Sequence, residues 1–189
     1  MAITTTSSTT LPLHAGRWAI DPNHSTVEFT VRHLGLSKVR GRFNRFDAEL
    51  HVGSDLTSTS LSAEVDLSSV DTNNADRDGH LQGTDFFDAE SHPSMTLTSV
   101  SITGDAGSYT VVGDLSINGV TRPIELDVEF FGTEVFPMDQ STRAGFSATG
   151  TLSRKAYGIE FNVPLGADKV MISDSVKIEL EVQLVAPTP

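Results

Sequence analysis

His33 is the first residue of this chain with chemistry to offer. In the stretch "STVEFTVRHLG", Val27, Phe29 and Val31 alternate with Thr26, Glu28, Thr30 and Arg32, and His33 falls on the apolar side of that alternation. A neutral imidazole carries one donor and one acceptor, so an inward His33 suits a pyrophosphate, a quinone carbonyl or an amide head group. The same ring would serve equally as a structural side chain bonded to backbone near the following turn, since buried polar groups are usually just satisfied. Arginine is the next candidate type, because its planar, permanently charged fork fits a phosphate or a carbonyl. Hairpin register puts Arg122 inward, whereas the parity of Arg40 against Val39 and Gly41 puts it outside.

Other chemistries find less support. "NADRDGHLQGTD", residues 74–85, resembles a calcium loop, with Asn74, Asp76 and Asp78 at positions 1, 3 and 5, Gly79 at 6 and Asp85 at 12. Asp85 is shorter than the usual bidentate glutamate, and the flanks read as strands, so capping of a short helix and a turn, with Thr84 or Asp85 as the cap, is the simpler expectation. His24, His80 and His92 lack the spacing of a recognisable zinc motif. No Gly-x-Ser-x-Gly elbow, glycine-rich phosphate loop or dinucleotide fingerprint occurs, and no metal or cofactor is expected. The chain has no cysteine, which removes disulfides, thiolate sites and a cysteine nucleophile. Asp and Glu number 25 against 13 Lys and Arg, a net charge of −12 that disfavours nucleic acid.

The elements that must position these groups are strands. Val39, Gly41 and Phe43 continue the period-two pattern, and in "GRFNRFDAELHV" the apolar parity jumps from Phe43 to Phe46, Ala48, Leu50 and Val52. One extra residue near Asn44 and Arg45 predicts a bulge that bends the strand. Asn118-Gly119 predicts a type I′ hairpin in which Ile117 faces Val120, Leu115 faces Arg122, Gly113 faces Ile124, Val111 faces Leu126 and Tyr109 faces Val128. Further alternating runs cover 61–67, 93–102, 144–152 and 176–184, with a short helix expected within 73–87. About eight long antiparallel strands with a bulge imply an all-β fold, a closed up-and-down barrel. Many inward positions are small (Gly41, Ala63, Gly113, Ala144, Ala148, Gly150) among Phe29, Phe43, Phe130 and Phe146, a mixture expected to leave room for a ligand. Phe86 and Phe87 read as a plug on the barrel end in preference to a gate. Residues 1–16 read as a disordered Thr/Ser-rich tail and 17–187 as the domain. Neither a secretory leader nor a membrane span is evident, so a cytoplasmic protein is expected.

Five ordered blocks carry a resemblance: "WAIDPNHSTVEFTVRHLGLSKVRGRFNRFDAEL", "RDGHLQGTDFFDAESHPSMTLTS", "VVGDLSINGVTRPIELDVEF", "GFSATGTLSRKAYGI" and "DSVKIELEVQLV". Together they resemble the YceI-like, polyisoprenoid-binding family over roughly Trp18 to Val185. That resemblance implies a lipocalin-like barrel whose pore holds a long isoprenoid lipid without catalysis, and often a homodimer. Two positions depart from the family's habit: Lys155-Ala156, where a small residue and an acid are more usual, and Leu97, where an aromatic is common. The expected role is to bind, carry or sequester an isoprenoid quinone or polyprenyl phosphate. Phe29, Val31, Phe43, Leu115, Phe130 and Phe146 are expected to line the pore, with His33 and Arg122 near the polar head. The alternative is an enzyme on a lipid-like substrate with His33 as acid or base.

Overall fold

The computed structural model describes residues 10–167 and 169–187. Its strands are β1 (Gly16–Ile20), β2 (Thr26–His33), β3 (Ser37–Phe43), β4 (Phe46–Val52), β5 (Ser60–Asp66), β6 (Val70–Asp71), β7 (Ser94–Asp105), β8 (Ser108–Ile117), β9 (Val120–Val135), β10 (Thr142–Ser153), β11 (Pro164–Gly166), β12 (Lys169–Val170) and β13 (Ile172–Val185). One α-helix, α1 (Ala75–Gln82), stands between β6 and β7.

Pairing turns these into eight staves of a closed antiparallel barrel. β1 and β2 make one bent stave, since β1 pairs with β4 while β2 pairs with β3. β3 with β4 and β5 with β6 make the next two, followed by β7, β8, β9, β10 and β13 in chain order. β13 closes the ring by pairing with β2 along its length and with β1 at Leu184 and Val185. The order is up-and-down throughout and the ring of staves closes on itself, while β11 and β12 form a separate two-stranded sheet.

The parity jump at Asn44–Arg45 marks a corner in two staves at once. β3 stops at Phe43 and β4 starts at Phe46, and the facing stave breaks at the same level into a 3-10 turn, Leu67–Ser69. The backbone N–H of Asn44 donates to the Ser69 carbonyl at 3.1 Å, that of Arg45 to Ser69 Oγ at 3.0 Å, and that of Asp66 to the Arg45 carbonyl at 3.0 Å. The Arg45 guanidinium adds bonds to Asp66 and Ser68. The register of the 118–119 hairpin is the expected one at all five pairs. Asn118 and Gly119 have φ of 52° and 72°, as a type I′ turn requires.

The barrel is packed in one half. Trp18 is 0% exposed and its indole N–H donates to the His14 carbonyl at 2.9 Å. Leu50, Val52, Tyr109, Val111, Ala144, Phe146 and Leu184 are buried in the same cluster. Each large apolar side chain taken out of water there contributes about 1.5–3 kcal/mol. Leu11 is buried in this core too, so the stretch from Leu11 to His14 is part of the packed domain and not of a disordered tail. The remainder of the expected tail, residues 1–9, lies outside the described residues. A second, smaller cluster of Phe43, Val65, Leu67 and Val70 fills the corner, and Phe87 packs on it.

Candidate functional site

The other half of the barrel is hollow. A cavity of about 400 Å³ lies between β2, β3, β5, β7, β8, β9, β10 and β13, within the range usual for ligand sites of about 300–1,000 Å³. Its wall is aliphatic and aromatic: Phe29, Val31, Phe43, Ala63, Leu97, Leu115, Leu126, Ile178 and Leu180 among others. It forms because the bulkiest inward groups stand in the opposite half. Along β9 and β10, Leu126 faces Gly150 and Val128 faces Ala148, and then Phe130 faces Phe146 with ring centroids 5.0 Å apart. Leu126 lines the cavity, whereas the phenylalanine pair does not.

Two covers lie over part of the hollow end. The first is α1 with the turns after it, which contribute Arg77, His80, Leu81, Phe86 and Phe87. Asn74 caps this helix, accepting from the Arg77 N–H at 3.0 Å. Asp78 accepts from Thr72 N–H and Oγ1, and Asp85 bonds His80 at 2.9 Å. The calcium-like spacing therefore resolves into a capped helix in which Asp78 and Asp85 are engaged by different partners. The cap is Asn74, at the opposite end of the helix from Thr84 and Asp85, because the helix occupies 75–82 and "FFDAE" is in turns. Among the described residues no cluster of His, Asp and Glu is arranged to hold a metal.

The second cover follows β10: a 3-10 turn, Arg154–Tyr157, ended by Gly158 in the left-handed region at φ 75°, and the irregular run through Phe161. Arg154 fastens it. Its guanidinium is buried, lines the cavity, and donates to the carbonyls of Ser173 (3.0 Å), Ile159 (2.8 Å) and Phe161 (2.8 Å). Burial lowers its pKa, an effect opposed by the charge of Asp174. Burial pushes Asp174 up in turn, but bonds from Ser153 Oγ and the Lys155 N–H, with the nearby Lys155 and Arg154 charges, hold it below the usual carboxylate value. Burial also raises the Tyr157 phenol. The two covers meet in an aromatic trio, with His80, Phe86 and Phe161 at centroid distances of 4.9–5.2 Å.

The expected site residues divide. Phe29, Val31, His33, Phe43 and Leu115 all line the cavity. His33 is half-buried at its mouth, paired through backbone with Ser37 and Ile172, and its ring makes no hydrogen bond among the described residues. Phe130 and Phe146 point inward but belong to the packed half, so they support the barrel and do not line its hollow. Arg122 faces Leu115 in register, yet it is exposed: its long side chain leaves the barrel lip and Nε donates to the Ala156 carbonyl at 3.3 Å. The small residues also act differently from the expectation. Gly41 and Gly150 are seats for Phe29 and Leu126, whose atoms lie where a Cβ would go. Of the departures from the family's habit, Leu97 is in the cavity wall, while Lys155 is exposed.

Arg154, Arg77 and His80 were not anticipated. The left-handed cap offered by "YG" marks the turn that aims Arg154, but nothing in the sequence says which face of α1 meets the barrel. Chemically, the arrangement can enclose an apolar body with polar groups only at its covered end. No carboxylate stands within hydrogen-bonding reach of His33 among the described residues, and the His–carboxylate pair at the cavity is His80–Asp85.

Comparison with known proteins agrees with this geometry. A UPF0312 protein of Staphylococcus epidermidis is 40% identical over 164 residues, covering 86% of this chain and 94% of the relative. A UPF0312 protein of Staphylococcus aureus is 39% identical over 163 residues, covering 86% and 93%. Among solved structures, Burkholderia cenocepacia BcnA superposes with a TM-score of 0.74 at 22% identity, over 89% of this chain and 99% of that one. The Campylobacter jejuni YceI protein gives 0.70 at 29% identity, over 83% and 90%. A polyisoprenoid-binding domain from Saccharophagus degradans, implicated in plant cell wall breakdown, shares the fold with a TM-score of 0.61 at 17% identity, over 90% and 98%. No helix among the described residues is long and apolar enough to cross a membrane. The profile of the YceI-like domain matches residues 18–184, and the chain belongs to that family.

Proposed function

We propose that this protein binds one long apolar lipid of the polyisoprenoid type, an isoprenoid quinone or a polyprenyl phosphate, and carries or sequesters it in the hollow half of the barrel. The observation that carries this reading is the deep, almost wholly apolar cavity between Phe29, Leu97, Leu126 and Leu180. Membership of the YceI-like family and the fold shared with a polyisoprenoid-binding domain support the ligand class. The driving force is area: each 100 Å² of hydrocarbon enclosed contributes about 2.5 kcal/mol before losses of chain and translational freedom. The polar head lies at the covered end, where His33 offers an unpaired imidazole. The role is binding and not catalysis, and a homodimer in the cytoplasm belongs to the same proposal, resting on the family resemblance and on composition.

Native mass spectrometry of the protein purified from its own host, followed by organic extraction, tests this reading. A stoichiometric lipophilic mass with an isoprenoid repeat is expected. A bare chain mass that stays bare after incubation with polyprenyl lipids overturns it.

A further inference from the structure

The rim of the cavity presents greasy side chains to solvent. Leu36 is 81% exposed, and Leu34, Val163, Leu165 and Val170 are each more than 40% exposed. They come from two segments, the turn between β2 and β3 and the β11–β12 hairpin, which are stitched together. The Leu34 N–H donates to the Met171 carbonyl at 2.7 Å, and the Met171 N–H to the Val163 carbonyl at 3.0 Å. The side chain of Asn162 both donates to and accepts from the backbone of Ile172. Three of the exposed residues are at most two positions from one that lines the cavity, Leu34 from His33, Val163 from Phe161 and Val170 from Met171, and Leu36 and Leu165 stand further out on the same two segments. The patch is therefore continuous with the cavity mouth.

The charge around it is opposite to that of the molecule. Residues 29–46 hold five of the chain's 13 Lys and Arg and none of its 25 Asp and Glu, in a chain of net charge −12. Arg42 and Arg45 are taken by Asp71 and Asp66. Arg32, Lys38 and Arg40, nearer the rim, form no ion pair within 4 Å among the described residues, although the charges of Arg40 and Lys38 are felt by Glu179 on the neighbouring strand, and Lys169, next to Asp168 in sequence, stands on the hairpin itself. Exposed apolar groups flanked on the β2–β3 side by a cation excess, on an otherwise acidic body, match the interface of an anionic bilayer: hydrocarbon for the leucines and valines, phosphate for the cations.

We infer that this rim is a docking surface for an anionic lipid membrane, applied so that the cavity mouth opens onto the bilayer. It rests on the carrier reading for its purpose, though not for its chemistry. A second copy of the chain fits less well, since two such rims would bring like charges face to face.

Flotation of the full chain with vesicles of phosphatidylcholine and phosphatidylglycerol in equal parts, and with pure phosphatidylcholine vesicles, tests the inference. Flotation with the mixed vesicles is expected, with much weaker flotation on the pure ones. Lys38→Ser with Arg40→Ser should lower partitioning to the mixed vesicles about twenty-five-fold, at about fivefold per cation near the surface. Leu36→Ser with Leu165→Ser should lower it at least about tenfold. Both pairs are exposed, and unchanged melting temperatures confirm that the variants fold. Wild type that fails to float, or variants that float like it, overturns the docking surface. So does a dimer in sedimentation equilibrium that the leucine pair abolishes while no vesicle is bound. Extraction of the purified protein keeps the two readings apart: lipid retained without flotation refutes docking alone, and flotation of a chain that never retains lipid refutes the carrier alone.

Discussion

Replacing Gly41 with alanine is the sharpest probe of how the cavity wall is built. Gly41 faces Phe29 across β2 and β3, and a Cβ at position 41 would stand 2.3 Å from Cζ of Phe29, 2.7 Å from its Cε1 and 2.9 Å from Cγ2 of Thr72. A methyl group and the ring cannot share that space, so the ring must swing off its seat, and its open side is the cavity it already lines. Overpacking of this kind costs about 1–3 kcal/mol. With the ring removed the sign changes: glycine to alanine at a position without strain stabilises by about 0.4–1 kcal/mol through the unfolded chain, less whatever Thr72 still opposes. The expected coupling between the two sites is therefore about 2 kcal/mol. Urea denaturation of wild type, Gly41→Ala, Phe29→Ala and the double variant measures it as a thermodynamic cycle. Gly41→Ala should be destabilising in wild type and near neutral without Phe29, and extraction should show reduced lipid content, since the ring now occupies cargo space. Equal costs in both backgrounds would refute the seat.

Three further outcomes follow from the site and its supports. Arg154→Ala removes the donors of three buried or half-buried carbonyls and should cost about 3–5 kcal/mol by chemical denaturation, and Arg154→Lys should recover little because an ammonium cannot reproduce the fork. Phe29→Asp should abolish lipid retention in a protein that still melts cooperatively, while Phe146→Leu should lower the melting temperature and leave retention unchanged. The third concerns Asp21, which is buried beside Arg143. Burial raises its pKa, but bonds with His24, the Asn23 N–H and Arg143 outweigh that and hold it below 3.8. A depressed carboxylate contributes stability that is full above its unfolded value and is lost as pH falls through the folded one. Urea midpoints measured from pH 5 downward should therefore fall more steeply in wild type than in Asp21→Asn, with the divergence beginning near pH 4, and parallel profiles would contradict the assignment.

Much of the fold can be read from side-chain parity. The 118–119 hairpin is legible residue by residue because a type I′ turn leaves one register, and the parity jump at 44–45 reports a corner because a strand cannot change faces without an extra residue. His33 is legible at the mouth for the same reason. What parity lacks is depth. It says that Phe29 and Phe146 both point inward, but not that one borders a hollow and the other fills a core, since that depends on which bulky groups from other staves arrive at the same height. Trp18, Phe130 and Tyr109 settle it for Phe146, and they come from three different staves. Parity also misleads at strand ends, where a long side chain such as Arg122 escapes over the lip. The glycines are ambiguous in the same way: an absent side chain is an empty space or a neighbour's seat, and only the neighbour's position decides.

The separation of a packed half from a hollow half has an evolutionary consequence. In most small domains the residues that recognise a ligand are also those that hold the fold, so a change in taste is a change in stability. Here the tryptophan-centred half secures the barrel, and Leu97, Ala63 and Ile178 face a space that nothing in the protein fills. A lineage built on this plan can exchange wall residues for larger or smaller ones and drift from one cargo to another at a smaller cost in folding free energy than the same exchange around Trp18 would bring. The tempo of substitution should accordingly differ between the two ends of the same strands, slow around Trp18 and fast around Leu97.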